Sequence, residues 1–111
     1  MTAMANRHRG EVDAELGGRK RRLVLTLGAL AELEHTFGAH DLTALAERFA
    51  SGRVSARDLV RIIGAGLRGA GETISDDDVA RLASPGGAVD FVNVAAELIA
   101  VTFGFSREGG A

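Results

Sequence analysis

The sequence predicts an α+β protein, mainly α: an N-terminal β-hairpin at about 11–16 and 19–26, then a compact bundle of about five helices. Gly17-Gly18 separates two short runs in which apolar and charged residues alternate, as in a hairpin around a tight turn. From residue 27 onward the apolar positions recur at i, i+3 and i+4. The 15 glycines fall mainly where such segments would end, so they divide the chain into short elements.

The hairpin comes first. A two-residue loop at Gly17-Gly18 sets the pairs Leu16/Arg19, Glu15/Lys20, Ala14/Arg21, Asp13/Arg22 and Val12/Leu23. One face then carries Glu15 opposite Lys20 and Asp13 opposite Arg22, each pair contributing about 0.2–1 kcal/mol. Val12, Ala14, Leu16, Leu23 and Leu25 occupy the other face, which needs a cover because a lone hairpin is marginal in water.

Helices are predicted at about 27–37, 41–51, 56–70, 76–83 and 90–103. Thr26 is a candidate N-cap for the first, whose stripe is Leu27, Leu30, Leu33 or Glu34, and Phe37, with Gly38 at its end. Asp41 opens the second, which sets Leu42, Leu45, Ala46 and Phe49 on one face. Ser55 and Asp58 have the spacing of a capping box, and Leu59, Ile62, Ile63, Gly66, Leu67 and Ala70 continue the third helix to a C-cap at Gly71. Ser75 with Asp76, Asp77 and Asp78 is a strong helix start, since carboxylates complement the positive end of the macrodipole. Asp90 is the expected cap of the last and most hydrophobic helix, the expected centre of the core, with Phe91, Val94, Ala95, Leu98, Ile99 and Phe103 on its apolar face. The expected organisation is a single domain over 9–105, with flexible segments at 1–8 and 106–111.

Length and composition bound the function. A chain of 111 residues has no room for a nucleotide domain plus a substrate domain. Its apolar residues are mostly Ala, Leu and Val, with five Phe and no Trp or Tyr, which favours small-residue helix packing over an aromatic-lined pocket. A net charge of -2 gives no global attraction to nucleic acid or anionic membrane. The lack of cysteine excludes disulfides, thiol chemistry and Cys-ligated zinc. No apolar stretch reaches the roughly 20 residues of a membrane span, and the polar start lacks a signal-peptide core, so a soluble intracellular protein is expected.

Residues 64–71, GAGLRGAG, contain the G-x-G-x-x-G spacing of dinucleotide sites. Such a site needs a strand before the glycines and a long helix after them, with an acidic residue about 20 positions on. Here the helical pattern starts before the glycines and runs through them, and Ser84-Pro85-Gly86-Gly87 stands where the acid should be. The glycines are therefore read as sites of close helix approach, and no cofactor is expected. The three aspartates lack calcium-loop spacing, and His35 and His40 make no standard ligand pair, so no metal is expected. No nucleophile motif or Walker loop is present, so no catalytic residue is assigned and an enzyme is not expected. Arg19-Lys20-Arg21-Arg22 is read as a solvated strand whose charges protect a sheet edge, with no interleaved aromatic for base stacking. A helix-turn-helix over 59–83 would present an acidic helix N-terminus to phosphates, which counts against it.

The run M-A-N-x-x-R-G-E-V from Met4 to Val12, the hairpin, LTLGALAELEHTFG and LVRIIGAGLRG together resemble the small tail proteins of gene transfer agents and related long-tailed phages. That family is grouped with phage tail assembly chaperones and is also labelled a tail tube protein. The resemblance spans roughly Met4 to Phe103, and places the family's usual start at Met4, after Met1 to Ala3. It implies a protein of the producing bacterium's cytoplasm that coats the hydrophobic helical tape-measure protein and hands it to polymerising tail tube subunits. It carries no residue-level motif. The physical expectation is face binding of a partner's amphipathic helix, with Leu42, Leu45, Phe49, Phe103 and Phe105 as candidate partner-binding residues. The alternatives are a structural subunit of the tail, which would reside in the particle, and a small DNA-binding regulator. A homo-oligomer fits either tail role.

Overall fold

The computed structural model describes residues 10–38 and 42–104; within the second helix the side chains of residues 42, 43 and 45 are not described. The element order is β1 (Glu11–Leu16), β2 (Arg19–Val24), α1 (Leu27–Phe37), α2 (Leu42–Ala50), α3 (Ala56–Gly69), α4 (Asp76–Ala80) and α5 (Ala88–Phe103). This is the expected hairpin and five helices. The segments 1–8 and 106–111, and Asp41, lie outside the described residues.

β1 and β2 pair antiparallel in the expected register, Glu11 opposite Val24 through Leu16 opposite Arg19. Gly17 and Gly18 supply the turn with φ of 65° and 84°, a region that side chains disfavour. Val12, Leu16 and Leu23 face the helices and are buried. The strand ends at Val24, two residues early, because Thr26 already caps α1: its hydroxyl accepts from the Ala29 N–H at 3.1 Å.

The basic strand departs from expectation. Ala14 and Arg21 form a pair on the inward face, so Arg21 is nearly buried and not solvated. Its guanidinium donates to the Leu16 carbonyl at 2.8 Å and to Glu72 at 2.5 Å, and Arg19 joins Glu72 at 3.3 Å. Arg22 meets Asp13 at 3.6 Å as the register requires, while Glu15 and Lys20 stand opposite each other with no ion pair between them.

Ser55 and Asp58 form the full capping box of α3, each backbone N–H donating to the other side chain at 3.1 Å. Ser75 and Asp78 do the same for α4. Ala70, not Gly71, is the C-cap of α3, with Gly71 following at φ 104°. The expected fourth helix to residue 83 is cut to Asp76–Ala80. Pro85 disfavours helical backbone at Ser84, and the Ala83 carbonyl is taken by the hairpin-tip Gly17 N–H at 2.7 Å. α5 starts at Ala88, two residues before the expected Asp90 cap. Gly87 holds the N-cap position, and Asp90 reaches back from the first turn to accept from Gly86 N–H at 2.7 Å and the Ser84 hydroxyl at 2.5 Å.

The most enclosed segment is the middle of α3, where Ile62 through Leu67 are all buried, and not α5. α3 packs against β2, α1, α4 and α5. The glycines make this possible. A Cβ on Gly66 would meet Leu98 Cδ2 of α5 at 2.7 Å and Leu23 of β2 at 3.2 Å, and one on Gly69 would collide with the Val24 carbonyl oxygen. The close neighbours are therefore the hairpin as well as a helix. Leu16, Leu23, Leu33, Ile62, Ile63, Leu67 and Leu98 are fully buried, each contributing roughly 1.5–3 kcal/mol. Leu27, expected on the α1 stripe, is 81% exposed. The buried line runs through Ala29 and Leu33, and Leu27 lies more than a third of a turn around the helix from it at about 100° per residue.

Candidate functional site

GAGLRGAG lies inside α3 and at its end, with residues 59–63 helical ahead of it, so no strand leads into the glycines and no helix N-terminus follows them directly. Arg68, inside the motif, ties three helices together: it binds Glu32 of α1 and, at 3.1 Å, Asp76 of α4, and donates to the Ile74 carbonyl at 2.9 Å. Partial burial opposes its charge, but the hydrogen bonds and negative charges of Glu32 and Asp76 hold its pKa above the ordinary value. Two of the three aspartates at the start of α4 are thus engaged within the protein: Asp76 with Arg68, Asp78 with its own cap and, at 3.8 Å, Arg81. Among the described residues no group of three or more His, Cys, Asp or Glu is placed to hold a metal. His35 lies exposed in the last turn of α1, and His40 is outside the described residues.

Of the candidate partner-binding residues, Phe49 on α2 and Phe103 on α5 are half-buried and pack against the core. Phe105 and the side chains of Leu42 and Leu45 lie outside the described residues. The exposed large apolar side chains among the described residues are elsewhere: Leu27, Val89 at 65% and Val92 at 41%.

An open apolar groove that the sequence did not reveal lies between α3, α4 and α5. Leu59, Val60 and Ile63 of α3, Val79 and Leu82 from α4 and the turn after it, and Ala88 and Phe91 of α5 surround about 160 Å³. The groove exists because α4 is only five residues long and leaves Leu59 and Val60 of the longer α3 half-exposed. A second, polar groove shares Val60 and Ala80 with it; Arg57 and Arg61 line it from α3, and Asp76 and Asp77 from α4. On another face β1 meets the start of α5 around an acidic groove lined by Asp13, Glu15, Asp90 and Glu97. The Ser84 hydroxyl, then the Gly86 N–H, hold the Asp90 carboxyl below the usual carboxylate range. No single stretch of sequence contains these surfaces, since each draws on elements far apart in the chain. An apolar groove lined by helices can seat an apolar helix face, and its chemistry offers no group for bond making or breaking.

No helix among the described residues is long and apolar enough to cross a membrane. The model of one protein family, described as phage tail tube protein, GTA-gp10, matches residues 9–105, which takes in every element of the fold. No curated protein and no solved structure matches the chain.

Proposed function

The chain belongs to the GTA-gp10 family of phage tail tube proteins, and from that premise we propose that it acts in tail morphogenesis as an assembly chaperone for the tape-measure protein. The reading assigns it no catalytic step. It acts in the producing cell, where its apolar groove between α3, α4 and α5 takes an amphipathic helical segment of the tape-measure protein until tail tube subunits replace it. The supporting observation is that groove, whose lining residues Leu59, Val60 and Phe91 are only half-buried. Phe49 and Phe103 serve this role less well, because both are spent on the core.

Co-expression tests it. Wild-type protein is expected to keep the tape-measure protein soluble and to co-purify with it, whereas Ala80→Arg, which places a charge at the exposed edge of the groove, loses both with an unchanged circular dichroism spectrum. Unchanged tape-measure solubility with and without the wild-type chain sinks the chaperone reading.

The family's own description favours a second reading, a structural subunit of the tail tube. Mass spectrometry of purified particles beside the producing lysate separates the two. A chaperone is abundant in the lysate and missing from finished particles; a tube subunit is present in them at high copy.

A further inference from the structure

β1 is the edge of a two-stranded sheet, and among the described residues no strand lies on its other side. There it meets α5 across the acidic groove, which encloses about 330 Å³. Asp90, Asn93, Val94 and Glu97 form the α5 wall at i, i+3, i+4 and i+7, so one helix stripe faces one strand edge. The walls carry four carboxylates and no lysine or arginine. Asp13 meets Arg22 of β2 at 3.6 Å, and Asp90 accepts only from the Ser84 hydroxyl and the Gly86 N–H, donors that leave its charge in place. The groove also has a direction. The Ser84 hydroxyl that donates to Asp90 lies 3.5 Å from the Glu15 carbonyl, so Asp90 marks one end, and Glu97, about two turns along α5, marks the other.

We infer that the occupant of this groove is the chain's own N-terminal arm, residues 1–9, folded back at Gly10 with Arg7 and Arg9 among the carboxylates. These residues lie outside the described ones, and their sequence complements the site: Arg7, His8 and Arg9 are cationic or can become so, and residues 1–10 hold no acid. In an extended segment Arg7 and Arg9 project to the same side, as a one-sided groove requires. The point of attachment fits as well. Gly10, with φ of 77°, bends the chain where β1 begins, and an arm returning from it brings Arg7 level with Asp13, three residues to either side of the bend. Residues 4–9 alone reach about 20 Å when extended, whereas the distance along β1 from Gly10 to Glu15 is about 16 Å. A tether this short gives an effective concentration in about the millimolar range, so the arm outcompetes a separate basic segment of similar sequence. The docked arm covers the edge of β1, where an added strand from another chain would otherwise pair.

The chain has no cysteine, so Ala5→Cys provides a single attachment point for a nitroxide on the otherwise full-length protein. In its NMR spectrum the amides of Asp13, Asn93 and Glu97 are expected to be broadened. The broadening should be lost with Arg7→Glu/Arg9→Glu, kept with Arg7→Lys/Arg9→Lys, and weakened by Glu97→Gln. It should also be lost at about 1 M salt, where the Debye length is about 3 Å. Circular dichroism checks that each variant is folded. Absence of broadening in the wild-type background overturns the proposal, as does broadening that survives both Arg7→Glu/Arg9→Glu and high salt. Broadening of an isotope-labelled chain by the nitroxide of a second, unlabelled chain mixed with it also overturns it, since the arm would then belong to another copy.

Discussion

At the scale of single residues, the glycines of GAGLRGAG have unequal roles, and their substitution should rank them. A Cβ at Gly64 would meet only the ends of the Asp76 and Arg68 side chains, at Gly66 the Leu98 and Leu23 side chains, and at Gly69 a backbone carbonyl that cannot turn aside. Alanine gains about 1 kcal/mol of helix propensity at each interior position, against an overpacking cost of about 1–3 kcal/mol where the neighbours are fixed. Urea unfolding is therefore expected to show Gly64→Ala within about 0.5 kcal/mol of wild type, Gly66→Ala destabilised by about 1 kcal/mol, and Gly69→Ala destabilised most. The motif's spacing was plain in the sequence, but which glycine faces backbone and which faces a movable side chain was not, because the facing atoms come from β2, α4 and α5. Asp90 gives a second test. Its folded-state pKa is depressed by Ser84 and Gly86, so the stabilisation it supplies is full above the pKa of an unfolded Asp and is lost as pH falls through the folded value. Carboxyl-carbon NMR should find its midpoint below that of an unstructured Asp, and Ser84→Ala should move it back up.

At the scale of elements, the capping residues worked from sequence alone. Thr26, Ser55 and Ser75 start their helices as their side chains require, since a cap bonds an amide only two or three residues away. Where an element's end depends on residues beyond it the sequence misled: after Ala80 the Arg81 and Leu82 N–H groups bond to the residues three before them and the Ala83 carbonyl goes to the hairpin tip, and α5 starts early because Asp90 folds back over the turn. One capping residue also joins two helices. Asp58 is buried in its capping box and accepts from Arg48 Nη2 of α2 at 3.0 Å, so it anchors α2 to α3. Asp58→Ala, which loses the cap and strands Arg48, is expected to cost about 1–2 kcal/mol. Arg48→Met should cost less than Asp58→Ala, because it removes the half-exposed partner and leaves the capping box in place. Thermal melts of the two variants check the order.

At the scale of the whole molecule, the hairpin and the helices are one packing unit. Gly17 is pressed against Leu82, Arg21 against Glu72, and Leu23 against Gly66, so the hairpin's inward face is covered by elements from across the chain. We expect one cooperative unfolding transition, with far-UV circular dichroism and amide resonances of Leu16 and Leu23 giving the same midpoint. A hairpin that melts first would show that it is a separate unit. The sequence by itself determined the fold class, the hairpin register and the starts of α1, α3 and α4, since each follows from periodicity, turn chemistry or caps acting over a few residues. It also pointed to the tail family from strings spread along the chain, which the match over residues 9–105 bears out. Only the tertiary structure decided which segment sits at the centre and where apolar surface stays open. α3 became the most enclosed element because its small residues admit neighbours on all sides, although α5 is the more apolar sequence. The groove formed because a five-residue α4 cannot cover a fourteen-residue α3. Burial depends on what the rest of the chain brings alongside, and that is a property of packing that no local pattern contains.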